Sequence, residues 1–445
     1  MSKASQVRPH KEKEMFCSPH RIYNIRGFRL VTLVFFFVFI FAVLFLTSFA
    51  DVSISKLFYL SPAQSSRTRL YGIMFDAGST GSRIHVFTFV RIRGGQLELA
   101  NEYFDEVKPG LSAYANDPKK GVHSIEELLE KADDIIPKDQ WKMTPLALKA
   151  TAGLRLLPSN SSKQLLAEVR ILFQDSPYLF PDPNNVGIMD GPDEGLFAWI
   201  TVNFLLGGLK SDNSKQFGTL DLGGGSTQIT LHPVDPKTLQ EAPDGFSRHL
   251  NIANSQFTLY THSYLGLGLM AARTSTLELG QVVKDTNGKD VKHSPCIHSS
   301  FRDTWTFGGH SINFGGLGSY GFNTCIEHTK RVISQLKVHK PAGISSIQMY
   351  AFSYYYDRAV EMALIDKEKG GTITVGDFAH GAKEACSKES TSLPYLCLDA
   401  TYILALLKEG FGFTEDRILI LQKKIDGVEV SWGLGATLDL FNKMT

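Results

Sequence analysis

Two glycine-rich segments share one pattern, and this repeat constrains the fold more than any other feature of the chain. The first, at 71–89, reads YGIMFDAGSTGSRIHVFTF, and the second, at 217–232, reads FGTLDLGGGSTQITLH. A single acidic, glycine-rich loop between two apolar runs is an ordinary hairpin connection, because Gly, Asp and Ser favour turns. Two such loops in one register indicate a duplicated unit. The alignment pairs Asp76 with Asp221, Gly78 with Gly223, Ser82 with Thr227 and Ile84 with Ile229.

The rest of the chain alternates strand-like and helix-like stretches, which is typical of an α/β protein. Helical spacing occurs at 125–136, 160–173, 195–208 and 431–443. A strand running into a turn is expected at 145–153, and a further strand at 417–425. At 445 residues the chain is too long for one ordinary core. We therefore predict two related α/β lobes with a cleft between them. Lobe I comprises 70–190 plus 415–445, and lobe II comprises 191–414.

The N-terminus predicts a membrane anchor. Residues 2–29 carry seven Lys or Arg against two Glu, and residues 30–50 carry no charge. About 20 apolar residues span a bilayer as a helix, and the basic flank stays cytosolic. We expect a cytosolic tail at 1–29, a signal anchor at 30–50 and a stalk at 51–69, with the remainder luminal. A cleaved signal peptide is the alternative, although its apolar region is usually shorter.

Cysteine usage agrees with an oxidising compartment. Four of the five cysteines, Cys296, Cys325, Cys386 and Cys397, follow the predicted anchor, and an even number there predicts two disulfides. Four cysteines allow three pairings, of which short loops favour Cys296–Cys325 with Cys386–Cys397. Asn160 begins a glycosylation acceptor triplet. The net charge of +1 gives no reason to expect nucleic acid as a partner.

The two repeated loops suit phosphate chemistry. Glycines let the backbone approach a ligand, and successive N–H groups in a tight turn form an anion-binding nest. An Asp at the end of the first strand would repel a phosphate, so it more readily faces a divalent cation or its hydration shell. Neither a P-loop nor the context of a Rossmann fingerprint is present. Two such loops facing each other would bind adjacent phosphates and hold a metal between them.

Five blocks in order resemble the ectonucleoside triphosphate diphosphohydrolase (apyrase) family, most closely its intracellular members. The blocks are DAGSTGSR (76–83), KATAGLRLL (149–157), MDGPDEGLFAWITVNFLLG (189–207), DLGGGSTQI (221–229) and YAFSYYYD (350–357). The resemblance runs from about Tyr71 to the C-terminus. It implies an actin-like (RNase H-like) fold of two lobes around a nucleotide cleft. It also implies Ca²⁺- or Mg²⁺-dependent hydrolysis of terminal nucleotide phosphates.

The resemblance also implies roles for individual residues. Glu194 matches the family's catalytic base, with the neighbouring Asp193 as a helix-capping alternative, and Ser226 matches the group that positions the attacking water. The matching cation site, which acts mostly through water, is Asp76, Thr151, Asp221 and Gln228. The matching phosphate-binding loops comprise Ser79, Thr80, Gly81, Ser82, Arg83, Gly224, Gly225 and Thr227, and Arg155 is a further candidate for charge neutralisation.

The final block carries three tyrosines that match a nucleobase site. Read as a strand, Tyr354, Tyr355 and Tyr356 alternate between faces, so only some of them reach a base. Phe352 is expected in the core.

One departure bears on the substrate. Gly81 stands where cell-surface members typically carry His, which points to nucleoside diphosphates, with GDP, IDP and UDP ahead of ADP and triphosphates. Residence in the Golgi membrane follows from the resemblance, a monomer is expected, and release after stalk cleavage stays open. The alternatives are a polyphosphate or guanosine-pentaphosphate phosphatase and a non-hydrolytic, actin-like nucleotide switch.

Overall fold

The computed structural model describes residues 68–92, 95–209, 215–252 and 255–444. All of these residues belong to one compact unit, Arg67–Thr445. The predicted cytosolic tail and membrane span, and all but the last two residues of the predicted stalk, lie outside the described residues. Within the described residues no helix has both the length and the apolar character needed to cross a bilayer.

The described ranges contain strands and helices in alternation. The strands are β1 (Thr68–Ala77), β2 (Ser82–Arg91), β3 (Leu97–Val107), β4 (Leu146–Ala150), β5 (Val186–Ile188), β6 (Gly218–Leu222), β7 (Ser226–Leu231), β8 (Ser247–Ile252), β9 (Ser255–Leu265), β10 (Gln281–Lys284), β11 (Asp290–Ser294), β12 (Arg302–Phe307), β13 (His310–Gly316), β14 (Met349–Ser353), β15 (Gly371–Thr374), β16 (Ile418–Leu421), β17 (Lys424–Ile425) and β18 (Val428–Glu429). The helices are α1 (Pro118–Asp133), α2 (Ala152–Arg155), α3 (Ser159–Asp175), α4 (Gly191–Leu205), α5 (Lys237–Gln240), α6 (Leu269–Glu278), α7 (Phe322–Gln335), α8 (Tyr354–Glu361), α9 (Val375–Ala385), α10 (Leu396–Ala405) and α11 (Gly433–Met444).

Two of the sheets are built on the same plan. The smaller has the strand order β3-β2-β1-β4-β5, and the larger has the order β15-β16-β14-β6-β7-β9-β8. Five strands of the larger sheet, β9-β7-β6-β14-β16, repeat the order and directions of the smaller one, with antiparallel pairs followed by parallel pairs. The repeat inferred from the two glycine-rich segments is therefore confirmed, as is the α/β class.

Two helices fill the space between these sheets. α4 packs on β6, β7 and β9 of the larger sheet, whereas α11 packs on β1 and β2 of the smaller one. The two helices also pack on each other, and Trp199 and Leu434 are among the buried members of the core they share. α4 is apolar on all sides, as expected for a helix without a solvent face. The C-terminal segment thus serves both sheets, because β16 pairs with β14 before the chain crosses to α11.

A third, smaller sheet of order β10-β11-β13-β12 lies beside α6 and carries a separate apolar cluster. The disulfides Cys296–Cys325 and Cys386–Cys397 are both buried in that cluster. This is the pairing that was predicted because it closes the shortest loops between cysteines. Asn160 is exposed in the first turn of α3.

The structure contains the helices and strands expected from the sequence, and it differs from the expectation at the aromatic block, residues 350–357. The strand at that block ends at Ser353, and Tyr354, Tyr355 and Tyr356 begin helix α8. The prediction that these three tyrosines alternate along a strand is therefore wrong. The tyrosines follow directly after a parallel strand, where an α/β chain turns into a helix. Phe352 is buried, as predicted.

The crossing of α4 and α11 gives a testable prediction. A Cβ on Gly435 would lie 2.1 Å from the Phe197 carbonyl oxygen, so Gly435→Ala forces the two helices apart. We expect a loss of about 1–3 kcal/mol in the free energy of unfolding, measured by denaturant titration. Gly318→Ala is the matched control, because a Cβ there meets nothing within 4 Å. Equal stability of the two variants would show that the helix crossing tolerates the methyl group.

Candidate active site

Asp76 and Asp221 occupy equivalent positions at the ends of β1 and β6. In the cross-strand register Asp76 faces Arg83 and Asp221 faces Gln228. Each hairpin is closed by one hydrogen bond of 3.0 Å, from the Gly78 N–H to the carbonyl of residue 81 and from the Gly223 N–H to the carbonyl of residue 226. The aligned acids therefore have the same backbone geometry in both hairpins.

The two loops face each other at close range. A Cβ on Gly224 would lie 2.3 Å from the Ser79 Oγ, so any larger residue at position 224 would collide with the first loop. The backbone N–H groups of Ser79, Thr80, Gly224 and Gly225 form no main-chain hydrogen bond with the described residues. Unpaired N–H groups on two facing loops are what an anion-binding nest requires.

The short helix α2 lies against both loops. A Cβ on Gly153 would lie 2.7 Å from the Ser79 Cα, and one on Gly225 would lie 2.8 Å from the Ala152 Cβ. This packing places Thr151, the buried residue that precedes α2, beside the first loop, with its N–H donating to the Ala77 carbonyl.

Glu194 lies in the first turn of α4 and is only 6% exposed. Its carboxylate forms a short ion pair with Arg155, the last residue of α2. The side chain that caps α4 is Asp190, which accepts a hydrogen bond from the Gly191 N–H. Capping, the alternative weighed for Asp193, is therefore performed by a different aspartate.

Burial raises the pKa of all three carboxyl groups, and the charge of a neighbouring acid adds to the shift at Glu194 and at Asp221. Burial raises the pKa of Glu194 to about 8, and the negative charges of Asp221 and Asp76 add to that shift against the opposing effect of Arg155. Burial, together with the charge of Asp76, raises the pKa of Asp221 to about 6. The pKa of Asp76 is raised by burial, although Arg83, 3.0 Å away, opposes the shift. Arg155 and Arg83 therefore offset only part of the cost of burying three acids together.

Several side-chain oxygens in this cluster accept no hydrogen bond from the protein. The Oδ1 atoms of Asp76 and Asp221 and the Oε1 of Gln228 are buried without a hydrogen-bond partner. Gln228 is held in place because its Nε2 donates to the Ser226 Oγ at 2.8 Å and to the Ser263 Oγ at 2.9 Å. Oxygen acceptors with nearby negative charge fit a hydrated Ca²⁺ or Mg²⁺. Within the described residues no group of three or more His, Cys, Asp or Glu side chains could hold a metal ion directly.

Some predicted phosphate ligands have structural side chains. The Ser82 Oγ is fully buried and accepts the Leu111 N–H at 3.1 Å, and the Thr227 Oγ1 donates to the Asp221 carbonyl at 2.7 Å. Both hydroxyls therefore bond to backbone groups and hold the loops in place. The sequence predicted that they would contact phosphate instead. Each residue follows a tight turn, where backbone groups are left without a main-chain partner. Gly81 lies against the end of β3, where a Cβ would approach the Val107 carbonyl to 3.2 Å.

Tyr355 lies beside Thr227 and Asp221 of the second hairpin, whereas Tyr354 lies beside the first loop. The Tyr354 hydroxyl interacts with the Thr80 side chain of that loop. Tyr355 is fully buried, and Tyr356 is buried and donates to the Lys367 carbonyl. Successive residues of a helix point about 100° apart, so the first tyrosine can face the first loop while the next two enter the core.

The sequence reasoning missed a buried charge cluster behind Tyr354. The Arg358 guanidinium lies 5.4 Å from the centre of the Tyr354 ring and pairs with Glu361. Asp399, which is fully buried, binds Arg273 through both carboxylate oxygens and lies 3.5 Å from Arg358. The i, i+4 spacing of Tyr354 and Arg358 would have revealed this contact had the block been read as a helix.

The pKa shifts give a prediction for the metal-free protein. A carboxyl group whose pKa is higher in the folded state stabilises the fold below its unfolded pKa and loses that contribution as pH rises through the folded value. We expect the free energy of unfolding to fall between about pH 4.5 and 8, and Glu194→Gln to flatten the fall because an amide does not titrate. Denaturant titrations in the presence of a chelator at several pH values test this. If the free energy of unfolding of Glu194→Gln fell with pH as steeply as that of the wild type, the prediction would be contradicted. Glu130→Gln, at an exposed position, is the control.

Comparisons with known proteins place this chain among nucleotide phosphatases. It is 49% identical over 391 residues to mouse ectonucleoside triphosphate diphosphohydrolase 5, covering 86% of this chain and 91% of the relative. It is 48% identical to the human nucleoside diphosphate phosphatase ENTPD5, covering 86% and 90%. It is also 48% identical to mouse ectonucleoside triphosphate diphosphohydrolase 6, covering 85% and 84%.

The fold agrees with that likeness. The crystal structure of nucleoside triphosphate hydrolases from Neospora caninum matches 89% of this chain and 97% of its own, with a TM-score of 0.64 at 16% sequence identity. The profile of the GDA1/CD39 (nucleoside phosphatase) family matches residues 63–445, which include both hairpins, Glu194 and the tyrosine block. The chain belongs to the GDA1/CD39 nucleoside phosphatase family.

Proposed function

We propose that the protein hydrolyses the terminal phosphate of nucleoside diphosphates to give a nucleoside monophosphate and phosphate, with a divalent cation. The observation that carries the proposal is the set of buried, unpartnered oxygens on Asp76, Asp221 and Gln228 beside two facing loops with unpaired N–H groups. The first feature suits a cation and the second suits phosphate oxygens. The names of the relatives support the same reaction class.

Glu194 is the proposed general base. Burial raises the pKa of its carboxyl group to about 8, so it can take a proton from water near neutral pH. Arg155 holds one of its oxygens and thereby fixes the carboxylate in place. Ser226, tied to Gln228, is the proposed partner that orients the attacking water.

The cation site proposed from Asp76, Thr151, Asp221 and Gln228 would bind the metal largely through its water molecules. When bound, Ca²⁺ or Mg²⁺ would neutralise charge on the phosphate oxygens and on the surrounding carboxylates. The chain's own contribution is to position the phosphates. Ser79, Thr80, Gly224 and Gly225 offer backbone N–H groups for this purpose, and Arg83 lies beside them, paired with Asp76.

Tyr354 is the proposed nucleobase contact, because it lies next to the first loop and a ring can stack on a base. We further propose that GDP, IDP and UDP are preferred to ADP and triphosphates. Gly81 offers no side chain that could reach toward a third phosphate, which supports that order.

Two other functions compete with this proposal. A polyphosphate or guanosine-pentaphosphate phosphatase would use the same loops, but an aromatic side chain beside them is of no use to a substrate without a base. A nucleotide switch would bind the nucleotide without hydrolysing it at a measurable rate. No observation favours either reading over hydrolysis of a nucleoside diphosphate.

The test is phosphate release from GDP, UDP, ADP, ATP and inorganic polyphosphate, with and without EDTA. We expect EDTA to abolish release and GDP and UDP to exceed ADP, ATP and polyphosphate in kcat/KM. Glu194→Ala should lower kcat by about 10²–10⁴-fold, because a positioned base contributes that much. Asp193→Asn, a change at the neighbouring partly buried carboxylate, is the matched control and should retain activity.

The outcomes separate the hypotheses. Full metal-dependent activity in Glu194→Ala would overturn the proposed base. Polyphosphate exceeding all nucleotides would favour the alternative phosphatase, and binding without measurable release would favour the switch.

We also propose that residues 30–50 anchor the protein in the Golgi membrane with the catalytic part in the lumen. The two disulfides of the described part support an oxidising compartment. In cells, a glycosidase should then reduce the mass of the wild-type protein but not of Asn160→Gln. An unchanged wild-type mass would leave the luminal topology without this support and argue against a glycan at the exposed Asn160.

A further inference from the structure

A row of three directly opposed residues crosses three neighbouring strands of the larger sheet. In the antiparallel register Asp221 on β6 faces Gln228 on β7, and Gln228 faces Ser263 on β9. Directly opposed residues project from the same face of a sheet, with Cβ atoms about 4.5–5.5 Å apart. The three side chains therefore lie side by side, with the amide of Gln228 between the carboxylate and the hydroxyl.

The smaller sheet carries an equivalent row. Asp76 on β1 faces Arg83 on β2, and Arg83 faces Glu106 on β3. The outer residue contacts the middle one, because a carboxylate oxygen of Glu106 lies 3.5 Å from the Arg83 Nε. The duplicated unit therefore extends beyond the two hairpins to a third strand, whose side chain contacts the residue that faces the aspartate.

Ser263 makes the corresponding contact in the larger sheet. The Gln228 Nε2 donates to the Ser263 Oγ at 2.9 Å and to the Ser226 Oγ at 2.8 Å. An amide nitrogen carries two N–H donors, so both are used. The Oε1 of the same buried amide has no hydrogen-bond partner. The two hydroxyls thus hold the amide by its nitrogen and leave its oxygen unpaired.

Asp221 offers a competing acceptor to this amide. Its Oδ1 is buried without a hydrogen-bond partner, and the residue lies directly opposite Gln228. Without the Ser263 hydroxyl, one N–H of the buried amide would lose its acceptor, which is costly. An N–H turned toward the carboxylate would regain a bond, and a charge-assisted one. That turn would consume the free carboxylate oxygen and direct a donor at any cation beside it.

Ser263 also lies against the first turn of α4. A Cβ on Gly191 would lie 2.6 Å from the Ser263 Oγ and 2.6 Å from the Arg155 Nη1. Arg155 is the residue that pairs with Glu194, in the same turn of the helix. The hydroxyl is therefore enclosed between the Gln228 amide and the helix that carries the proposed base.

We propose that Ser263 is a positioning residue for the cation site: its hydroxyl holds the Gln228 amide so that Oε1 stays available to the hydration shell of a divalent cation. The inference rests on the cation-binding role proposed for Gln228. Groups that orient metal-binding side chains typically contribute 10–100-fold to metal affinity or activity. Without the hydroxyl, the amide turns an N–H onto Asp221, and the site loses two oxygen acceptors together.

The experiment compares Ser263→Ala, Gln228→Ala and the double variant with the wild-type protein. Thr261→Val is the matched control, because Thr261 lies two residues away on the same face of β9. Its hydroxyl bonds with that of Thr230 and with the Pro192 carbonyl. The readouts are the melting temperature, its increase on adding Ca²⁺ or Mg²⁺ alone, and the cation concentration that gives half-maximal phosphate release from GDP.

We expect Ser263→Ala to need about 10-fold more cation for half-maximal release and to show a smaller cation-induced rise in melting temperature. In the Gln228→Ala background, Ser263→Ala should change neither quantity further, because the hydroxyl acts through that amide. Thr261→Val should melt at a lower temperature and respond to cation as the wild type does. The control thus separates a loss of stability from a loss of cation response.

Two results would overturn the inference. A wild-type cation midpoint and cation-induced stabilisation in Ser263→Ala would show that the hydroxyl does not hold the amide for a cation. An equal loss from Ser263→Ala with and without the Gln228 side chain would show that the serine acts by another route. A wild-type protein without any cation response would refute the proposed function itself, and the Ser263 inference with it.

Discussion

Three carboxylates, Asp76, Asp221 and Glu194, are buried within reach of one another's charge, and the other features of the cleft compensate for that arrangement. Burying an anion without a partner is costly, and burying several together is more so. Arg83 and Arg155 each pair with one of them, yet the pKa values of all three remain raised. A divalent cation would offset the remaining repulsion, so the same arrangement that destabilises the metal-free protein prepares it for a metal.

The duplicated architecture creates one site rather than two because the halves differ at the residues that face the acids. The first hairpin presents Arg83 and the second presents Gln228 at the equivalent position. Glu194, the proposed base, lies on α4 between the two sheets. The symmetric backbone therefore provides two facing loops, and the differing side chains provide the one proposed cation site and the one proposed base.

The tyrosine block shows where reasoning from the sequence failed. The pattern of apolar and aromatic residues from Tyr350 to Tyr356 is compatible with a strand throughout, because β-branched and aromatic residues favour strands. The chain instead turns at Ser353, through a conformation that no local pattern of non-glycine residues predicts. That turn separates Tyr354 from its two buried neighbours, and it places Arg358 and Asp399 behind the ring.

Local patterns along the chain were enough to predict the repeated hairpins, the α/β class, the disulfide candidates and most of the residues that meet at the two loops. These follow from local rules, since glycine, aspartate and apolar periodicity act over a few neighbouring residues. Packing between distant segments set which hydroxyls hold the loops, which arginine pairs with which acid, and which tyrosines lie beside the loops. Such choices depend on contacts between residues far apart in the chain, as between Arg155 and Glu194, and no spacing in the sequence encodes the geometry of those contacts.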